Sequence, residues 1–178
     1  FAAIGCIKKL ETMHDNLLVV ISAPYTNLVD QWQQELSKWY VDSTILDKGW
    51  TRELRQEIQI QNKNSEKKLS VLICSHAKFA REEFLETLEK SKIPTLLIVD
   101  EAHHLNSQEA EGATLGYRFV QKLIEHDKFK SRLFFTATPH RGKDYGFFAL
   151  LKLLRPDLFD PQKKAEEQIN ALEQVVIR

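Results

Sequence analysis

"TLLIVDEAHHL", residues 95–105, runs from five apolar or β-branched residues straight into two acids and two histidines. The apolar half is too short for a typical helix and rich in β-branched residues, which predicts a strand buried on both faces. The polar half then falls at that strand's carboxyl end. The same pattern recurs outward along the chain. "NLLVVISAP" (16–24), closed by Pro24, and "LSVLICS" (69–75) are further buried strands, "RLFFTATP" (132–139) is another strand, and "STIL" (43–46) is a short one. Between them lie helical periodicities. "NLVDQWQQELSKWY" (27–40) puts Leu28, Trp32, Leu36 and Trp39 on one face, with Asn27 as its cap. "TRELRQEIQI" (51–60) is amphipathic, and "REEFLETLEKS" (81–91) turns Phe84, Leu85 and Leu88 inward. "ATLGYRFVQKLIEH" (113–126) and "FFALLKLL" (147–154), which stops near Pro156, follow. "NKNSEKK" (62–68) reads as a solvated loop. Apolar strands alternating with helices predict an α/β chain with a mostly parallel sheet flanked by helices on both faces.

Composition bounds what such a chain does. At 178 residues, 43% hydrophobic and 28% charged, it holds one sizeable core and not two full domains. Formal net charge is zero, so any nucleic-acid or membrane surface has to be local rather than a global field. Cys6 and Cys74 sit in apolar stretches far apart and read as buried reduced thiols of a cytosolic protein. The longest unbroken apolar runs, such as "LLVVI", are far too short to span a bilayer. "FAAIGCIKKL" has helical spacing with no cap or turn before Phe1, so the chain reads as starting inside a helix and as cut from something longer. There are no internal repeats and no low-complexity tracts.

In a parallel sheet, ligands bind at the carboxyl ends of the strands. Three polar clusters fall there: "SAPYTN" (22–27), "DEAHH" (100–104) and "TATPHRG" (136–142). They place Asp100, Glu101, His103, Thr136 and Thr138 along one rim. As a zinc site the acidic cluster is poor, because it has no HExxH, no CxxC and no third ligand at fixed spacing. His103 and His104 are also readable as a cap or a satisfied polar cluster. A hard cation suits the residues better. One carboxylate, Asp100, holds magnesium through water, while Glu101 orients and deprotonates an attacking water. A chance D-E-A-H in this length is expected about once in a thousand chains, from average residue usage. Nucleotide hydrolysis is therefore the leading reading.

These motifs carry a family resemblance. "VDEAH" resembles motif II of superfamily-two helicases and translocases, "TATPH" their motif III, and "APYTNLVDQWQQEL" their motif Ia. "TATPHRGKDYGFFALLKLLRPDLF" is similar to the Swi/Snf-like branch, and the closing "LEQVVIR" looks like the lead-in to that branch's R-R-x-K segment. The resemblance covers nearly the whole chain, in order. It implies a RecA-like P-loop NTPase lobe that binds ATP and magnesium and works on nucleic acid, double-stranded DNA in particular, beside a second RecA-like lobe of the same parent. Asp100 would hold magnesium through water, and Glu101 would be the general base. His103 would link the nucleotide site to Thr136, Ala137 and Thr138, which couple hydrolysis to lobe movement. Pro24, Tyr25 and Thr26 would border the nucleic-acid track, joined by Ser75 and His76. Such backbone contacts carry no sequence information, which suits a motor moving along DNA. Trp32 and Trp39 are read as core packing in preference to base stacking, and the lysines at 67, 68, 163 and 164 as solvated surface.

The chain also departs from that pattern. No G-x-x-x-x-G-K-[ST] occurs; "RGKD" holds the Gly-Lys pair, but position 137 is alanine and Asp144 stands where a hydroxyl residue is required. In the family the phosphate loop directly precedes the helix that "FAAIGCIKKL" resembles. Residues 1–178 therefore read as a partial first lobe that lacks this loop and the second lobe, and as catalytically silent alone. The shared lobe leaves a restriction or phage-defence motor open as a parent, and so does a degenerate, non-hydrolysing scaffold. Compact spacing between the motifs points to a bacterial-type, cytoplasmic parent with no membrane role.

Overall fold

The computed structural model describes residues 2–63, 68–92, 94–108, 112–129, 131–139 and 144–175. Its centre is a five-stranded, wholly parallel sheet in the order β2-β3-β1-β4-β7. The strands are β1 (Asn16–Ala23), β2 (Thr44–Ile45), β3 (Lys68–Ser75), β4 (Thr95–Val99) and β7 (Ser131–Phe134). A small antiparallel pair, β5 (Ser107–Gln108) and β6 (Gly112–Ala113), stands apart from it. The helices are α1 (Ala2–Met13), α2 (Thr26–Lys38), α3 (Trp50–Lys63), α4 (His76–Phe79), α5 (Glu82–Leu88), α6 (Leu115–Glu125) and α7 (Asp144–Leu154).

Side-chain alternation in the strands splits the core in two. Leu17, Val19, Ile21, Val71, Ile73, Leu96 and Ile98 face α1 and α2. Leu18, Val20, Leu72, Cys74, Leu97 and Val99 face the side covered by α3, α5, α6 and α7. In β1 and β4 nearly every residue is buried, which is why these strands read as unbroken apolar runs rather than as alternating ones. The pattern-based elements are thus present, with different edges.

Three local readings need correction. Asn27 is not the cap of α2: that position is Tyr25, in extended backbone with no side-chain cap bond, and Asn27 lies inside the helix. Trp39 is not core, because α2 stops at Lys38 and Trp39 follows the last turn with its side chain 47% exposed. Cys6 is only half-buried, whereas Cys74 is fully enclosed. Of the surface lysines, Lys163 and Lys164 are exposed. Lys67, the Gly-Lys pair at 142–143, His140 and the last three residues lie outside the described residues.

Two helix glycines explain how the segment after "DEAHH" is seated. A Cβ on Gly116 of α6 would meet Leu105 Cδ2 at 3.0 Å, and one on Gly146 of α7 would meet Asn106 Oδ1 at 3.2 Å. Glycine inside a helix costs about 0.5–1 kcal/mol relative to alanine, so close passage of the 105–107 segment is the compensating reason for it here. Leu105 is buried between these helices, and the polar turn before it is held at the rim of the sheet.

Candidate nucleotide site at the carboxyl edge of the sheet

Strand β4 sets the direction of the first acid. Asp100 is in phase with Leu96 and Ile98, so its side chain leaves the sheet on the α1–α2 side. Its N–H donates to Ser22 O of β1 at 2.8 Å, which extends the ladder one step beyond the strand. Asp100 Oδ1 accepts the Glu101 N–H at 2.9 Å, and Oδ2 accepts the Trp32 indole N–H at 2.8 Å. Helix α1 reaches β1 through a two-residue connection, so it runs back along the strand and its N-terminus lies at this same end of the sheet. Such an end favours anions.

The second acid is aimed by its backbone. Glu101 has φ 47° and ψ 48°, the left-handed region that a non-glycine residue occupies at a cost of about 1–2 kcal/mol. The chain then enters a single 3-10 turn, Ala102–His104, pinned by Ala102 N–H to Phe135 O at 2.8 Å and by Phe135 N–H to Val99 O at 2.9 Å. The strained residue lets neighbouring carboxylates diverge: Asp100 towards α2, Glu101 towards His103. Glu101 Oε2 is buried and lies 3.0 Å from His103 Nδ1. The same nitrogen is 3.0 Å from Thr136 Oγ1, and Thr136 Oγ1 accepts the Thr138 N–H at 3.2 Å. His103, Thr136 and Thr138 thus form a hydrogen-bonded line to the loop after β7, with Ala137 exposed at its bend and the Glu101 carboxylate in ion-pair contact with His103 at the other end, where Oε2 makes no hydrogen bond.

A ring cluster borders the turn. His104 packs on His103 at 4.4 Å between centroids, on His76 at 6.0 Å and edge-on to Tyr25 at 6.1 Å. Pro24, Tyr25 and Thr26 follow β1, with Tyr25 and Thr26 exposed. Ser75 and His76 follow β3, where Ser75 Oγ caps α4 by accepting the Lys78 N–H at 3.4 Å. His76 is pushed down to about 4, chiefly by burial and then by His104, against the pull of the Ser22 and Asp100 carbonyls and the Asp100 carboxylate. It is therefore neutral at physiological pH, and its buried Nε2 has no hydrogen-bond partner.

Every residue expected at the rim is thus at the carboxyl end of β1, β3, β4 or β7. The sequence reading missed Trp32 as a polar partner and His104 as the ring that joins three loops. No periodicity signals either one; Trp32 occupies a helix position that looks apolar, and only the packing of α2 on the sheet brings it to Asp100. Among the described residues no three His, Cys, Asp or Glu side chains converge as a metal cluster. No helix among them is long and apolar enough to cross a membrane.

Several known proteins are similar to this chain. A family model described as type III restriction enzyme, res subunit, matches residues 1–141. The ISWI chromatin-remodeling complex ATPase ISW2 of Saccharomyces cerevisiae is 24% identical over 164 residues, covering 92% of this chain and 13% of that protein. The RNA polymerase-associated protein RapA of Serratia proteamaculans is 32% identical over 178 residues, covering 93% of this chain and 17% of RapA. The chain therefore spans less than a fifth of either relative. A de novo designed protein with a P-loop NTPase fold, solved by NMR, aligns with a TM-score of 0.45 at 19% identity, over 92% of this chain and 98% of the design.

Proposed function

The chain belongs to the type III restriction enzyme res-subunit family, and from that premise we propose that it is the first motor lobe of a Swi/Snf-like, nucleic-acid-dependent ATPase that couples ATP hydrolysis to movement on DNA. The observation that carries this reading is the divergent carboxylate pair, with Glu101 tied through His103 to Thr136. Magnesium bound with ATP neutralises charge on the phosphates. Asp100 suits such an ion as a hard oxygen donor acting through water, since each of its oxygens keeps a lone pair after accepting one N–H. Glu101 orients and deprotonates the attacking water. His103 holds Glu101 in place, and Thr136, Ala137 and Thr138 pass the state of that site to the far lobe. Pro24, Tyr25, Thr26, Ser75 and His76 form the nucleic-acid rim, where exposed Tyr25 leans on His104.

A working site also needs a loop that cradles the phosphates and an arginine that stabilises the transition state, the latter worth roughly 10³–10⁵ in rate. No G-x-x-x-x-G-K-[ST] occurs in these 178 residues. The proposal places the loop and a second RecA-like lobe elsewhere in the parent, takes this lobe alone as silent, and sets the parent in a bacterial cytoplasm with double-stranded DNA as its track. The similarity to ISW2, a chromatin-remodeling complex ATPase, supports the ATPase reading over 92% of this chain. The family description favours a second reading, the motor of a restriction or phage-defence system, which flanking nuclease or methylase domains in the parent distinguish.

The test is ATP hydrolysis by the full-length parent, with and without double-stranded DNA, beside Glu101→Gln. DNA-stimulated turnover abolished by the substitution is the expected result. An unmodified parent that hydrolyses nothing in either condition refutes the motor and leaves a non-hydrolysing scaffold.

A further inference from the structure

Trp32 has no place in the assignments above, yet its indole N–H donates to the Asp100 carboxylate from helix α2. We propose that Trp32 is a positioning residue that fixes the orientation of the Asp100 carboxylate for magnesium, an inference that rests on the reading of Asp100 given above. The ring is half-buried against the α1–α2 core, with Phe135 tilted beside it at 6.3 Å between centroids. Its edge points at Asp100, with Nε1 2.8 Å from Oδ2. A hydrogen bond in which one partner is ionised is about twice as strong as a neutral one.

The two oxygens of Asp100 are thereby held from different directions. Oδ1 is held by the Glu101 N–H, which belongs to the turn itself, and Oδ2 by Trp32, which belongs to α2. Rotation of the carboxylate about its terminal torsion breaks at least one of these bonds. Indole is a donor only, so it orients the acid without competing for a cation. Partners of this kind set the direction of a metal-holding group, and their loss typically weakens metal binding about 10–100-fold. If Trp32 served packing alone, a ring of similar size without the N–H would replace it at no cost to the metal.

The experiment uses the full-length parent and Trp32→Phe. A second version carries benzothienyl-alanine at position 32, which keeps the bicyclic ring and lacks the N–H, so that lost volume is separated from the lost bond. Two quantities are read: the magnesium concentration giving half-maximal DNA-stimulated hydrolysis, and manganese binding to the parent loaded with a non-hydrolysable ATP analogue, followed by electron paramagnetic resonance. Both variants should raise the half-saturating metal concentration about tenfold, the low end expected for an outer partner, with maximal rate at saturating metal nearly retained. In an Asp100→Ala background, removing the N–H should change manganese binding no further. Metal constants unmoved in the benzothienyl-alanine protein, or a loss confined to maximal rate, overturn the inference while leaving the motor reading intact. A parent with Trp32 in place that neither hydrolyses ATP nor binds manganese with the analogue instead overturns the reading of the site, and the inference with it.

Discussion

His76 offers a quantitative test of how the ring cluster is built. Its ring is enclosed by His104, by the Ser22 and Asp100 carbonyls and by the Asp100 carboxylate, with the balance pushed down to about 4 against an ordinary value of 6.5. In the unfolded chain the imidazole takes a proton near pH 6.5, and in the folded chain near pH 4. Between those values the unfolded state binds more protons, so stability is fully present above pH 6.5 and is lost as pH falls towards 4. Linkage puts the loss between pH 7.5 and pH 5 at about 2 kcal/mol from this one group, a large share of the 5–15 kcal/mol of a typical domain. Urea unfolding at the two pH values, on the unmodified chain and on His76→Gln, isolates the contribution, because every other titrating group is common to both. The unmodified chain should lose about 2 kcal/mol more than the variant over that interval, and the His76 ring proton should titrate near 4 by NMR. Equal losses in the two proteins, or a ring midpoint near 6.5, would show that the ring is solvated and that the cluster is not enclosed as described.

Three further outcomes follow from the geometry. Phe79, fully buried at the end of α4, packs edge-to-face with Phe84 at 5.4 Å and Phe119 at 5.1 Å; Phe79→Ala should cost about 3–5 kcal/mol in urea unfolding, and a loss below 1 kcal/mol would contradict the packing. Cys74 is fully buried, with burial pushing its thiol up to about 12, whereas Cys6 is half-buried; at pH 8 one thiol per native chain should react with a disulfide reagent and the second only in denaturant. In the parent, Glu101→Gln should lower ATP turnover at least 10²–10⁴-fold, the usual worth of a general base, with nucleotide binding retained in equilibrium dialysis.

How much of this is legible in the chain depends on the range of each interaction. The parallel sheet, the order of strands and helices and the presence of the acidic rim at a strand's carboxyl end follow from the spacing of apolar residues, because alternation and helical period are local properties. "DEAH" and "TAT" are likewise visible as residues. Element ends were less legible: Tyr25 at the start of α2 and Trp39 beyond its end are set by the chain's path around the sheet, which overrides the capping preference of Asn27. The contacts among the rim residues were not legible at all. The left-handed turn at Glu101 depends on its neighbours clamping Ala102 to Phe135. His103 meets Thr136 across 33 positions, and Trp32 meets Asp100 across 68. Sequence by itself determined which chemical groups stand at the carboxyl edge of the sheet. Tertiary structure decided which of them touch, because a hydrogen bond needs its donor and acceptor within about 3 Å, and only the packing of α2 and β7 around β4 brings such distant residues that close.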